Sequence, residues 1–403
     1  ATRLDDDDRI VGRVRGGGIL PLTGLTMEAG TALAHGDWYG SSFSLAPAHI
    51  FSELWHGGTY SDAPLVFADL DLDGEPEFSA LDDTSLKIYQ RLADGSWSPF
   101  MTLELAAPAL DHTIADISGD GLPDLVFVDD TPAIFAAIAA DDGSFTFTPP
   151  TPVLNNSVRL ATAVLPGSDA ASVLVEARAP DYMGIFAHRF DGATLVPDPP
   201  ESLIDGFPAD LAIADLDADG GDDLVVLVRD AEQLASLVIV PTTADGWGPP
   251  RSRPIVLEPE LGNSTTLALG DLDLDGTIDA VLLDSLHIVR LLNINADDPP
   301  APKIDVLFNN ASSAAIADAD ADGRPDIVYC SSSGLTIVLA TADDTWQAQP
   351  PFDSYHTNCT LHVDPTDLRP LALLADSGAL TLLAPDLAPA PIPLPPLDGG
   401  PPP

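Results

Sequence analysis

Five stretches decide the reading: ADLDLDGEPEF at 68–78, ADISGDGLPDL at 115–125, ADLDADGGDDL at 214–224, GDLDLDGTIDA at 270–280 and ADADADGRPDI at 317–327. They align without gaps on D-x-[DS]-x-D-G-x-x-[DE]. The first Asp falls at 69, 116, 215, 271 and 318, giving intervals of 47, 99, 56 and 47. The long interval is about twice the others, so a degenerate unit is expected inside it. AVLPGSDAASVLV at 163–175 fits, with Val164 where the first Asp would stand. A second remnant, HVDPTDLRPLALL at 362–374, follows the fifth loop. Seven units result, and a fixed period of this length is the signature of a repeat architecture.

Each loop runs into a short apolar segment such as DLVFVDD (124–130), DLVVLVRD (223–230), DAVLLD (279–284) or DIVYC (326–330). These are brief, rich in Val, Ile and Leu, and bounded by Asp and Gly, which predicts strands rather than helices. A second strand follows, such as LHIVRLL (286–292) or LTIVLAT (335–341), then a turn and a more polar strand. Four strands in about 50 residues make one propeller blade. The expected fold is all-β, a seven-bladed β-propeller with the Asp loops between the first and second strands of blades. The seventh unit lacks an outer strand, and residues 18–60, including DWYGSSFSLAP at 37–47, are expected to supply it and cover a sheet edge.

In the shared loop, side chains at positions 1, 3 and 5 point inward on one tight turn. Gly at position 6 permits the bend, position 7 offers a carbonyl and the acid at 9 closes the shell. All the donors are oxygen, which suits a hard cation such as Ca²⁺. An EF-hand would need a bidentate Glu at position 12, where this chain has Ala80, Phe127, Val226, Leu282 or Tyr329. Asx-type turns without metal are the plainer reading of any single copy.

With those residues in view, the chain resembles the FG-GAP or VCBS family, calcium-loop propellers also seen in integrin α-subunit heads, over about residues 62–384. The Phe-Gly and Gly-Ala-Pro signatures of the integrin form are absent, so VCBS-like is the closer description. The resemblance implies up to five Ca²⁺ sites. Their ligands would be Asp69, Asp71, Asp73 and Glu77; Asp116, Ser118, Asp120 and Asp124; Asp215, Asp217, Asp219 and Asp223; Asp271, Asp273, Asp275 and Asp279; Asp318, Asp320, Asp322 and Asp326. The carbonyl donors would be Glu75, Leu122, Gly221, Thr277 and Arg324. Ser118 brings no charge to its loop.

The chain has 403 residues and a formal charge of −47, from 63 acidic and 16 basic side chains. Such a surface disfavours nucleic acid and anionic membrane. No apolar run approaches the roughly 18 residues a membrane span needs. Only Cys330 and Cys359 are present, too few for a structural zinc site but enough for one disulfide between the sixth and seventh units. The chain opens on Ala1 with no signal-peptide core, which reads as a mature product whose export signal is gone.

DDDDRIVG at 5–12 is similar to a zymogen activation site, but no serine-protease core follows; residues 1–17 read as an exposed arm carrying Arg3, Arg9, Arg13 and Arg15. Residues 385–403 hold nine prolines and favour extended polyproline II. The sequons at Asn155, Asn263, Asn310 and Asn358 matter only on a glycosylating route. No nucleotide-binding loop, nucleophile elbow or HExxH helix is found. Trp38, Tyr39, Trp55 and His56 read as packing or rim residues.

The functional expectation is a secreted or cell-surface, non-catalytic scaffold or adhesion module with a protein or glycan partner. One rival is a lectin or polysaccharide-active propeller, with Trp97, Trp247 and Trp346 at equivalent turns available to stack on sugars. Another is a subunit of a head-to-tail filament joined through the terminal segments.

Overall fold

The computed structural model describes residues 65–349, apart from short loop stretches, and strands at 2–4, 10–13, 19–22, 43–51, 358–363, 370–376 and 379–387. Among the described residues every regular element is a strand. Seven antiparallel sheets of four or five strands follow one another along the chain, together with a three-stranded sheet at 2–22 and a two-stranded one at 242–247.

In the first six sheets the order in space is the order in sequence. The second sheet, for example, runs through 109–115, 124–129, 133–139 and 145–147. Each of the five Asp loops joins the first strand of a sheet to its second, as the repeat predicts. The second strands Asp124–Asp129, Asp279–Leu283 and Asp326–Ser331 are buried at every position. A strand covered on both faces reads as a continuous apolar run rather than an alternation, which is why DLVFVD and DAVLL look as they do.

The two faces of such a strand serve different cores. Leu125 and Phe127 pack with Leu81, Leu86 and Ile88 of the preceding sheet. Val126 and Val128 pack with Val173 and Val175 of the following one. The same alternation joins the third sheet to the fourth through Leu174, Ile185, Leu224 and Val226, and the fourth to the fifth through Val225, Leu227, Ala280 and Leu282. Burial thus ties the first five sheets to one another in sequence order, and one such repeat alone would leave a face wet.

A second set of ties runs between first strands. Asp111 accepts a hydrogen bond from the Leu160 amide at 2.7 Å, and Asp210 accepts one from the Leu267 amide at 2.8 Å. Between them Arg159 donates to Asp210 at 2.6 Å and lies 4.0 Å from Glu176. Asp111 is buried, and desolvation pushes its carboxyl up to about 7 against the pull of its amide donors and Arg159.

By packing, the chain forms two compact units, one comprising 1–53, 272–274 and 312–403, the other 54–271 and 275–311. The first holds the sheet built from 358–363, 370–376 and 379–387, whose fourth strand is Phe43–Phe51, paired from Leu380↔Phe51 to Leu387↔Phe43. The segment that completes this sheet lies between residues 18 and 60. Two terminal boundaries differ in detail. The last strand continues to Leu387, past the start of the Pro-rich tail at 385, and the arm at 1–17 carries the strands Thr2–Leu4 and Ile10–Arg13, which pair with each other. Cys330, in this unit, is buried and disulfide-bonded, and the only other cysteine in the chain is Cys359.

Candidate metal loops

The position-9 acid anchors each loop. Glu77, Asp124, Asp223, Asp279 and Asp326 each begin a second strand and are all buried. Glu77 stands opposite Ala68 in the ladder, Asp124 opposite Ala115, Asp223 opposite Ala214 and Asp279 opposite Gly270. One carboxylate oxygen accepts the amide of position 2, from Leu70 at 2.7 Å, Ile117 at 3.1 Å, Leu216 at 3.2 Å and Ala319 at 2.9 Å. In four loops a carboxylate oxygen also accepts an amide at the end of the third strand or two residues past it, from Ala139 at 2.8 Å, Thr242 at 2.7 Å, Asn293 at 2.7 Å and Ala340 at 2.8 Å. The carboxylate therefore bridges three strands as well as facing the loop. Sequence reasoning missed this second role, because the third-strand donor is a backbone amide and leaves no residue signature.

The first Asp folds the turn. In all five loops one oxygen of its carboxylate accepts the amide of position 5, Asp73, Asp120, Asp219, Asp275 or Asp322, at 3.0–3.2 Å. The other accepts the glycine amide at position 6, from Gly220 at 3.0 Å, Gly276 at 2.9 Å and Gly323 at 2.9 Å. Those glycines have φ of +85°, a left-handed conformation that glycine adopts without steric cost. Position 4 is left-handed too, at Leu72 (+59°), Ala218 (+60°) and Leu274 (+58°), and each side chain there carries strain that the loop must hold.

Four of the five loops gather carboxylates. Asp69, Asp71 and Glu77, then Asp215, Asp217 and Asp219, then Asp271, Asp273 and Asp279, then Asp318, Asp320 and Asp326 each place three ligand oxygens within 4.8 Å of one another. Among the described residues the 116–124 loop, with Ser118 at position 3, makes no such carboxylate group. The position-5 acids Asp73, Asp275 and Asp322 lie outside the triads, as does Asp223 in the 215–223 loop. Residues expected to give carbonyl oxygens stand at the turn's exit. The amides of Leu122, Gly221, Thr277 and Arg324 donate to the position-5 Asp at 2.8–2.9 Å, and Glu75 lies outside the described residues. Arg324 also pairs its guanidinium with Asp322.

Crowding of carboxylates shows in their acidity. Burial, reinforced by the charges of Asp71 and Asp73, pushes Glu77 up to about 7. Burial, followed by Asp320 and Asp322, does the same to Asp326. Asp223 and Asp320 are raised by burial and by their loop neighbours. A cluster of oxygen donors that holds protons near neutrality for want of positive charge fits a divalent cation, which would displace those protons.

Other residues singled out from sequence fall elsewhere. Trp247 packs against the core shared by the third and fourth sheets, with its indole N–H buried. The side chains of Trp97 and Asn358 lie outside the described residues, as do Trp38, Tyr39, Trp55, His56, Asn155, Asn263 and Asn310.

Repeated antiparallel meanders with acidic loops between first and second strands define an all-β repeat protein. Residues 69–127 match the sequence model of the FG-GAP-like repeat, in agreement with the resemblance to the FG-GAP/VCBS repeat family. Among solved structures, an Agrocybe aegerita lectin described as recognising non-reducing terminal N-acetylglucosamine is similar at 16% identity, with a TM-score of 0.51 over 79% of this chain and 94% of that one. Virginiamycin B lyase from Staphylococcus aureus is similar at 10% identity, with a TM-score of 0.43 over 80% of this chain and 99% of that one. The lectin likeness is one of fold. No curated protein sequence matches the chain.

Proposed function

We propose that the chain is a seven-bladed β-propeller whose Asp loops bind calcium, and that it works outside the cell as a non-catalytic binding scaffold. One observation carries the metal reading: three carboxylate oxygens converge within 4.8 Å in four loops of one design. Calcium would be held by Asp69, Asp71 and Glu77, by Asp215, Asp217 and Asp219, by Asp271, Asp273 and Asp279, and by Asp318, Asp320 and Asp326, with Asp73, Asp275, Asp322 and Asp223 closing the shells. Bound there, the ion supplies positive charge that offsets carboxylate repulsion and fixes the left-handed turn. The chain's own part is to aim the carboxylates, through amide bonds from the same turn and from the third strand.

From the first sheet to the fifth, each packs on the next through its second strand, as blades do, and Phe43–Phe51 completes the seventh sheet from the other end of the chain. The disulfide at Cys330 suits an oxidising compartment, and among the described residues no helix is long and apolar enough to cross a membrane. The FG-GAP-like repeat supports an interaction module. Isothermal calorimetry with calcium on chelator-treated protein tests the metal reading: saturable binding is expected, and no heat together with no metal by elemental analysis would overturn it. A glycan array and a polysaccharide-degradation screen test the scaffold against the carbohydrate reading, in which half-buried Trp247 is one of the rings available to a sugar.

A further inference from the structure

We infer that the loop at 116–124 takes no cation, and that hydrogen bonds from its own turn and from the ligand-poor turn of the next repeat do there what a metal does in the other four loops. The inference rests on the calcium reading of those four.

Asp116 carries the argument. A carboxylate offers about four lone-pair sites. One oxygen of Asp116 accepts the Gly119 amide at 2.7 Å, the Asp120 amide at 3.2 Å and the Ser118 hydroxyl at 3.3 Å, while the other accepts the Gly121 amide at 2.7 Å. The Asp120 and Gly121 amides have counterparts at Asp215, Asp271 and Asp318, whereas the Gly119 amide and the Ser118 hydroxyl are additional donors at Asp116. Ser118 stands where the other loops have Asp, so position 3 brings no negative charge to a cation. Position 4 is also relieved: Gly119 adopts φ +78° where Leu72, Ala218 and Leu274 are held near +60°, so this turn stores no side-chain strain for an ion to hold.

The neighbouring repeat completes the substitution. The Ala171 amide donates to the Asp116 carbonyl at 2.7 Å, and the Ala170 methyl lies 3.4 Å from where a Gly119 side chain would begin. The strand ends flanking this same turn are tied to the loop on its other side: the Asp222 amide bonds the Val164 carbonyl at 2.7 Å, and the Val164 amide bonds the Asp222 carboxylate at 2.7 Å. The third unit has lost its Asp ligands and instead serves as a bracket between the loops at 116–124 and 215–223.

Native mass spectrometry of the full chain with calcium tests this by counting ions in three proteins. Asp120→Asn is expected to leave the count of the unsubstituted chain unchanged, whereas Asp217→Asn lowers it by one. Asp116→Asn is expected to lower the melting temperature equally with calcium and with chelator, because it removes hydrogen bonding and no ion. Loss of one ion in Asp120→Asn, or a fall in melting temperature confined to the calcium-loaded Asp116→Asn protein, would overturn the inference. A count of zero in all three proteins removes the calcium reading itself and this inference with it.

Discussion

Glu77 and Asp326 sit at the start of buried strands with carboxyls pushed up to about 7, by burial first and by neighbouring loop acids after it. Asp111 stands in the same range through burial. A carboxyl whose acidity is weakened by folding binds a proton that the unfolded chain, titrating near 4, has already lost. Its stabilising contribution is complete below about pH 4 and disappears as the pH rises through about 7. The calcium-free protein is therefore expected to melt at a lower temperature at pH 8 than at pH 5. Thermal scans in chelator check this, and a midpoint that climbs with pH would contradict it. Calcium binding has the opposite dependence, since the ion displaces protons, and its affinity should weaken on acidification below pH 7.

At the same scale, a Cβ at Gly221 would run into the Pro166 ring. Gly221→Ala is expected to cost about 1–3 kcal/mol, as overpacking does, read from urea unfolding. The loop acids were legible in sequence because a ligand set is a spacing of side chains on one turn. Asp111 and Arg159 were not, since their partners Leu160 and Asp210 lie about one repeat away and the residues themselves stand in unremarkable first strands.

At the scale of the strand and sheet, Leu125 and Val126 show how one apolar run feeds two cores. That DLVFVD is a strand was legible because the run is brief, apolar and bounded by Asp, whereas the division of its two faces between different cores emerges only in the packing. The strand that completes the seventh sheet was legible only in outline. The segment 37–47 resembled other outer strands, but pairing occupies Phe43–Phe51, a register set by the partner 379–387 and not by the segment's own pattern. The Arg159 tie gives a test of coupling between repeats. Removing the guanidinium takes from Asp210 its hydrogen-bonded cation, but Arg159 is about half exposed, so the loss should fall below the roughly 3–5 kcal/mol of a fully buried pair. Arg159→Met is expected to destabilise at pH 8 and less at pH 5, where Asp111, pushed up to about 7 by burial, has taken up a proton and no longer presents a charge to Arg159. Equal losses at the two pH values would argue against a charge-based tie.

For the whole molecule, the excess of 63 acidic over 16 basic residues is partly local, since the five loops alone concentrate Asp at their first, third, fifth and ninth positions. Repulsion among such groups opposes compaction, and a cation bound only by the folded state offsets it by mass action, worth about 2.7 kcal/mol per site when calcium is a hundredfold above its dissociation constant. The measurement that bears most directly on this account is the melting temperature of the full chain across a calcium titration and in excess chelator, with bound metal counted by elemental analysis on the same samples. The account predicts a midpoint that rises with free calcium, falls in chelator and returns when calcium is restored. An unchanged midpoint in protein that carries no metal would contradict it.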